Sequence, residues 1–238
     1  PVTKFGSVFV SGTEYDNTNT LYCIDHDPCS PQNRLKLGMV VLVNGTRTDE
    51  YTTNQTLTRI ADKITYEETV EGFVQFVAGD GLSLVVLGQV VSVNQKTEID
   101  PSLQGATPHS LNTITVPDTL VEISGFVTGD GTILATLIAP ESGTAHYEIE
   151  GFIKNHNLPA KTFEIGSLLV DYSRADIRQM PATTGQRWDD TVVFVQGDQW
   201  SQGGTGPYGA RLTAINVKPR ELGVVDIQAV AVEDFITQ

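Results

Sequence analysis

Between Thr69 and Ala139 the chain alternates short apolar, β-branched runs with glycine turns. The runs are Val70-Glu71-Gly72-Phe73-Val74, Leu84 to Val93, Leu120 to Val127, and Ile133 to Ile138. Segments of this length, bounded by Asp80-Gly81, Asp130-Gly131 and a polar loop from Pro101 to Pro117, predict strands rather than helices. The same order of runs recurs on both sides. A hairpin glycine stands at Gly12, Gly88 and Gly166, with separations of 76 (88 minus 12) and 78 (166 minus 88). A glycine closing the third run stands at Gly45, Gly125 and Gly197, separated by 80 (125 minus 45) and 72 (197 minus 125). The opening Glu-Gly occurs at Glu71-Gly72 and Glu150-Gly151, 79 apart (150 minus 71), and the first segment has no counterpart to it.

A period the size of a small domain predicts closed units in a row rather than a solenoid of thin repeats. The expected fold is all-β: three tandem small antiparallel OB-like β-barrels in residues 1–67, 68–142 and 143–219, followed by an extra strand in 220–238. The first barrel is short by nearly one strand, its opening element being absent or reduced to Pro1–Lys4. Beyond Pro219 the chain continues with Gly223-Val224-Val225-Asp226-Ile227-Gln228-Ala229-Val230-Ala231-Val232, an apolar strand with no unit of its own.

With 238 residues, 39% of them hydrophobic, the chain can bury several small cores. Units near 75 residues lie toward the lower limit for independent folding, so neighbours are expected to lean on one another. A formal net charge of −14, with only 15 Lys and Arg, argues against nucleic acid, which needs clustered cations. No apolar run is long enough to span a bilayer as a helix. The start at Pro1 suits a processed product. Both cysteines lie in Cys23-Ile24-Asp25-His26-Asp27-Pro28-Cys29, a spacing that favours a local disulfide and an oxidising compartment. A metal reading of Cys23, His26 and Cys29 lacks the second ligand pair of a structural zinc site.

Motifs that carry chemistry are missing. The histidines at 26, 109, 146 and 156 fall in different loops or strand edges, and the sequence has no nucleophile elbow, no His-Glu-x-x-His and no dinucleotide fingerprint. Most acidic residues alternate along strands, as a solvated face would have them. A carboxylate pair could still meet in space, as in glycoside hydrolysis, without leaving a sequence signature. The glycine-rich stretch Trp200 to Gly209 lacks the lysine and following helix of a phosphate-binding loop. Its Trp200 and Tyr208 read as packing aromatics or, less simply, as a ligand-stacking surface. No cofactor, metal or catalytic residue is expected.

The runs Phe5 to Val10, Leu37-Gly38-Met39-Val40-Val41, and Val121-Glu122-Ile123-Ser124-Gly125-Phe126-Val127 with Asp130-Gly131-Thr132 and Ala135-Thr136 resemble a bacterial exported family of tandem small β domains whose function is unknown. The resemblance spans all three units. It implies OB-like barrels, export to the periplasm, cell surface or medium, and no established activity. The cysteine segment and the extra terminal strand depart from the family pattern.

A strand deficit at one end and a strand surplus at the other suggest a complement, because an open sheet edge exposes unpaired backbone groups. The expectation is a non-enzymatic structural protein of the cell surface or extracellular space. Its assembly strand (Val224, Val225, Ile227, Ala229, Val230, Val232) would enter the acceptor edge (Phe5, Val8, Phe9, Val10) of the next copy, giving a head-to-tail homopolymer. The alternative is a monomer with that strand packed in cis, or a carbohydrate-type ligand-binding module using Trp200 and Tyr208.

Overall fold

The computed structural model describes residues 7–10, 13–25, 27–48, 58–105, 110–111, 113–142, 146–182, 187–203, 206–220 and 232–235. The described residues are all-β, with no helix among them. The chain divides into two compact units, one formed by residues 1–67 with 221–238 and the other by residues 68–220.

In the first unit, β1 (Ser7–Val10) and β2 (Thr13–Asp16) form an antiparallel hairpin. The short β3 (Leu21–Ile24) runs parallel to β5 (Thr58–Tyr66), and β5 pairs antiparallel with β4 (Val40–Thr48). A disulfide joins Cys23 on β3 to Cys29 in the segment that follows, as their spacing suggested. A second contact, an antiparallel bridge from Tyr22 to Ser30, holds the same loop. His26 lies outside the described residues.

The second unit opens with β6 (Val70–Val77), β7 (Ser83–Val86), β8 (Gln89–Ser92) and the short β9 (Glu98–Ile99), followed by β10 (Leu120–Val127) and β11 (Ile133–Pro140). Pairing runs β6 to β7, β7 to β8, β8 to β11, β11 to β10, and β10 back to β6, which closes a five-stranded barrel. Val70, Val74, Leu84, Val86, Val91, Val121, Ile123 and Ile133 fill its interior, each with at most 1% of its surface exposed. The hairpin turn Leu87-Gly88 has both residues at positive φ (47° and 72°), the backbone of a tight two-residue turn that glycine accommodates without strain.

The remaining strands are β12 (Tyr147–Phe152), β13 (Lys154–Asn157), β14 (Thr162–Ile165), β15 (Leu168–Asp171), β16 (Val192–Gln202) and β17 (Ala210–Pro219). Here the ladder runs β12 to β16, β17, β15, β14 and β13, and only Ile153 separates β12 from β13. The cyclic order is that of the preceding barrel with its first strand divided. Superposing registers makes Val91 equivalent to Val170 and Ala135 to Ala214, both 79 apart (170 minus 91; 214 minus 135). Gly88 therefore matches Ser167, and the hairpin glycine alignment in the sequence is off by one. The two repeats also share one sheet, because β12 pairs antiparallel with β6.

Repetition extends to irregularities. The third run of each segment meets its last strand through a bulge at the same point: Asn44/Gly45, Ser124/Gly125 and Gln196/Gly197. Asp62, Thr136 and Ile215 are the extra residues, so the partner backbone is pushed toward the glycine. A Cβ on Gly125 would lie 2.5 Å from the Leu134 carbonyl oxygen, and Gly45 and Gly197 face equally close partner atoms. The recurring glycine is thus demanded by a strand crossing, not by a turn.

The final strand, β18 (Val232–Phe235), pairs antiparallel with β4. Its register is Val232 opposite Val43 and Phe235 opposite Val40. In β6 the corresponding pairs are Val70 with Ile123 and Phe73 with Leu120; in β12 they are Ile149 with Val195 and Phe152 with Val192. Val232-Glu233-Asp234-Phe235 is therefore the missing Val-Glu-Gly-Phe element of the first unit, with aspartate in place of glycine. The sequence pattern predicts the extra strand at Gly223–Val232, with no unit of its own. Of the assembly residues it named, only Val232 lies in β18, while Val224, Val225, Ile227, Ala229 and Val230 lie outside the described residues. Of the acceptor residues, Val8, Phe9 and Val10 lie in β1, and Phe5 is outside the described residues. The pairing edge for β18 is β4, not β1, although Cα atoms of β1 and β18 come within 8 Å.

Replacing Gly125 with valine is expected to lower the unfolding free energy in a urea titration by about 2–4 kcal/mol. Gly129→Ala, where an added Cβ meets nothing within 4 Å, should stay within about 0.5 kcal/mol of the parent.

Candidate functional site

The N-terminal half of β6 uses both of its edges, pairing with β10 on one side and β12 on the other. Val70 stands opposite Ile123 and Ile149, all three fully buried, and this apolar row sets the register. Side chains alternate across a sheet, so the next position faces the other way. That position is Glu71, opposite Glu122 on β10 and Glu148 on β12. Packing of one face therefore forces three carboxyls into a row on the other, a placement that like charges alone would oppose.

These carboxyls do not face water. Glu71 is 8% exposed, Glu122 6%, Glu148 0% and the neighbouring Glu68 2%. At these four positions the expected solvated face is not found: the alternation is real, but the carboxyls are buried. Carboxylate oxygens of Glu68, Glu71 and Glu148 all lie within 4.8 Å of one another. Burial pushes the Glu71 carboxyl up to about 9, helped by the charges of Glu68 and Glu141, a hydrogen bond with Glu68, and the charge of Glu122. This environment favours the neutral acid over the carboxylate at Glu71. Such a cluster can retain protons or hold a hard cation through oxygen.

An aromatic group flanks the row. Trp200 stacks on Phe73 (centroids 6.3 Å apart, planes at 28°) and tilts against Tyr147 at 6.2 Å. Burial raises the Tyr147 phenol, which a hydrogen bond with Trp200 lowers and the nearby Glu71 raises further. Tyr208 packs instead on Phe76 at 5.1 Å, and its carbonyl accepts a hydrogen bond from Gln75 Nε2. The structure thus sends the two residues considered for ligand stacking to different partners along β6.

Two features had no sequence signal. His156, 1% exposed, lies against Trp188 with ring planes 4° apart and centroids 4.6 Å apart. Its Nδ1 accepts the Trp188 backbone N–H at 2.9 Å, so the neutral ring carries its proton on Nε2, 2.7 Å from the Tyr172 hydroxyl. The second feature is a cavity of about 420 Å³ whose lining includes Phe152, Lys154, Asp130, Glu150, Asp190 and Gln89.

Residues 71–139 carry a DUF5666 domain, a domain of unknown function. The matched span opens at Glu71 in the carboxyl row and closes at Ala139 on β11, so it coincides with the five-stranded barrel. No curated protein and no solved structure matches the chain. Among the described residues no helix is long and apolar enough to cross a membrane.

His156 supplies a pH test. Burial depresses its basicity, Asp189 opposes this and Arg187 adds to it, so the folded imidazole titrates below the unfolded value of about 6.5. The unfolded chain then binds more protons, and stability is lost as pH falls through that value. Urea midpoints measured from pH 8 to pH 5 should fall more steeply for the parent than for His156→Asn.

Proposed function

We propose that the protein is a non-enzymatic structural subunit of the cell surface or extracellular space, built from tandem OB-like modules and linked head to tail by exchange of β18. The observation that carries this reading is the register of β18 on β4, which repeats those of β6 on β10 and β12 on β16. A strand 184 positions beyond the end of β4 (232 minus 48) completes the first module. The same hydrogen bonds form equally well when the strand comes from another copy, and a heterologous contact of that kind propagates instead of closing. The Cys23–Cys29 disulfide supports export. The carboxyls, shut off from solvent, give a substrate little approach, which supports the non-enzymatic reading.

A second reading rests on the cavity beside Phe152, whose volume falls within the range of small-molecule sites: a monomeric module that binds a carbohydrate-type ligand.

Both are tested by removing residues 221–238. The truncated chain should lose protection of β4 in hydrogen exchange and regain it on adding a synthetic peptide spanning 228–238. The intact chain, refolded at high concentration, should yield multimers by light scattering and negative-stain microscopy. A parent that stays monomeric at every refolding concentration would overturn the polymer, and glycan binding that survives truncation would favour the module.

A further inference from the structure

A half-turn relates the two repeats of the second unit. Val70 and Ile149 are equivalent in register, and they stand opposite each other where β6 pairs antiparallel with β12. The hairpin turns meet in the same way: a Cβ on Gly88 would lie 2.9 Å from the carbonyl carbon of Ser167, its own counterpart. Equivalence extends past the strands. Glu141 and Arg220 each follow the proline that ends the last strand, and their N–H groups donate to the Leu120 and Val192 carbonyls at 3.1 and 3.0 Å. Contact between equivalent residues is isologous, so whatever the later repeat lays on β6 has a matching place where the earlier repeat borders β12.

On β6 the later repeat lays an indole: Trp200 stacks on Phe73 with centroids 6.3 Å apart. Phe152 is the counterpart of Phe73. Val127, opposite Ile133, is the counterpart of Trp200, opposite Leu212, since Ile133 and Leu212 are 79 apart (212 minus 133). An isopropyl group thus stands where the matching place would take an indole. Val127 and Phe152 both line the cavity of about 420 Å³, and Phe152 is 46% exposed. The covering segments differ too. Tyr208 lies on Phe76, whereas the turn at 128–132 has glycines at 129 and 131 where an added Cβ would meet nothing within 4 Å.

We infer that the cavity beside Phe152 is a binding site for a planar aromatic ligand of indole size, which stacks on Phe152 as Trp200 stacks on Phe73. Val127, Ile133 and Ile165 give it apolar walls, and an offset ring pair adds to the area buried. The polar groups at the rim are engaged. Lys154 pairs with Asp190, and Glu150, the counterpart of Glu71, pairs with Arg220 at 2.9 Å. Gln89 Nε2 donates to the Leu87 and Ile165 carbonyls at 3.0 and 2.7 Å, and Asp130 accepts from the Thr128 hydroxyl at 2.6 Å and the Thr132 N–H at 3.1 Å. A neutral ring therefore fits better than an ion, or than a sugar whose hydroxyls need partners. The inference rests on the second reading above only for the place of the site, and names a different ligand for it.

The test adds indole to the full chain. Calorimetry should give one saturable site with a dissociation constant of about 1 mM or tighter, and the methyl signals of Val127, Ile133 and Ile165 should shift in NMR spectra. Phe152→Ala, at an exposed position, should weaken binding at least tenfold. Val127→Trp should set the chain's own indole on Phe152, abolishing binding and raising the thermal midpoint without ligand. The inference is overturned if no saturable binding appears up to about 5 mM indole, or if binding persists in Phe152→Ala and Val127→Trp. Cellohexaose and chitohexaose are titrated in parallel. A sugar that binds at Phe152 where indole does not overturns this inference and upholds the carbohydrate module, and failure of both ligands removes the cavity from either role.

Discussion

Every module here depends on covering the outer edge of its third strand. β4, β10 and β16 each carry a full row of backbone donors and acceptors, and leaving such a row bare costs free energy that a small core cannot offset. In the second unit the covering strand comes immediately before the rest of its module, as β6 and as β12. In the first unit it comes from the far end of the chain, as β18, in an unchanged register. Since the register is set by apolar pairs such as Val70 with Ile123, connectivity can change while the hydrogen bonds do not.

The same apolar pairs explain why acids end up buried. Once Val70, Ile123 and Ile149 align, the alternation of side chains leaves Glu71, Glu122 and Glu148 no choice of neighbour. The later repeat relieves the equivalent position with Arg220. The earlier repeat has Glu141 there, and burial among like charges raises the Glu71 carboxyl instead. Differences between repeats that share a backbone thus isolate the electrostatic consequence of a single position, Glu141 against Arg220.

The DUF5666 segment forms a barrel closed by its own strands, and β12 of the next repeat adds only to the free edge at the start of β6. The first unit does not have that independence. That contrast, within one chain and one topology, is what sets the terminal strand apart from the others.

Much of this was legible in the residues alone. Short β-branched runs, glycine turns and a recurring period determine an all-β chain of repeated modules, because strand pattern and turn chemistry are local. The close cysteine pair was local too. The missing strand of the first unit was also legible, but its replacement was read one element too early, because Asp234 stands where the other copies carry glycine and hides the motif. The carboxyl row and the Arg220 position had no local signature: Glu71 and Glu148 are adjacent only because β6 and β12 share an edge. Sequence determined which residues alternate; tertiary structure alone decided which face was covered, since burial is a property of what packs against a strand and not of the strand itself.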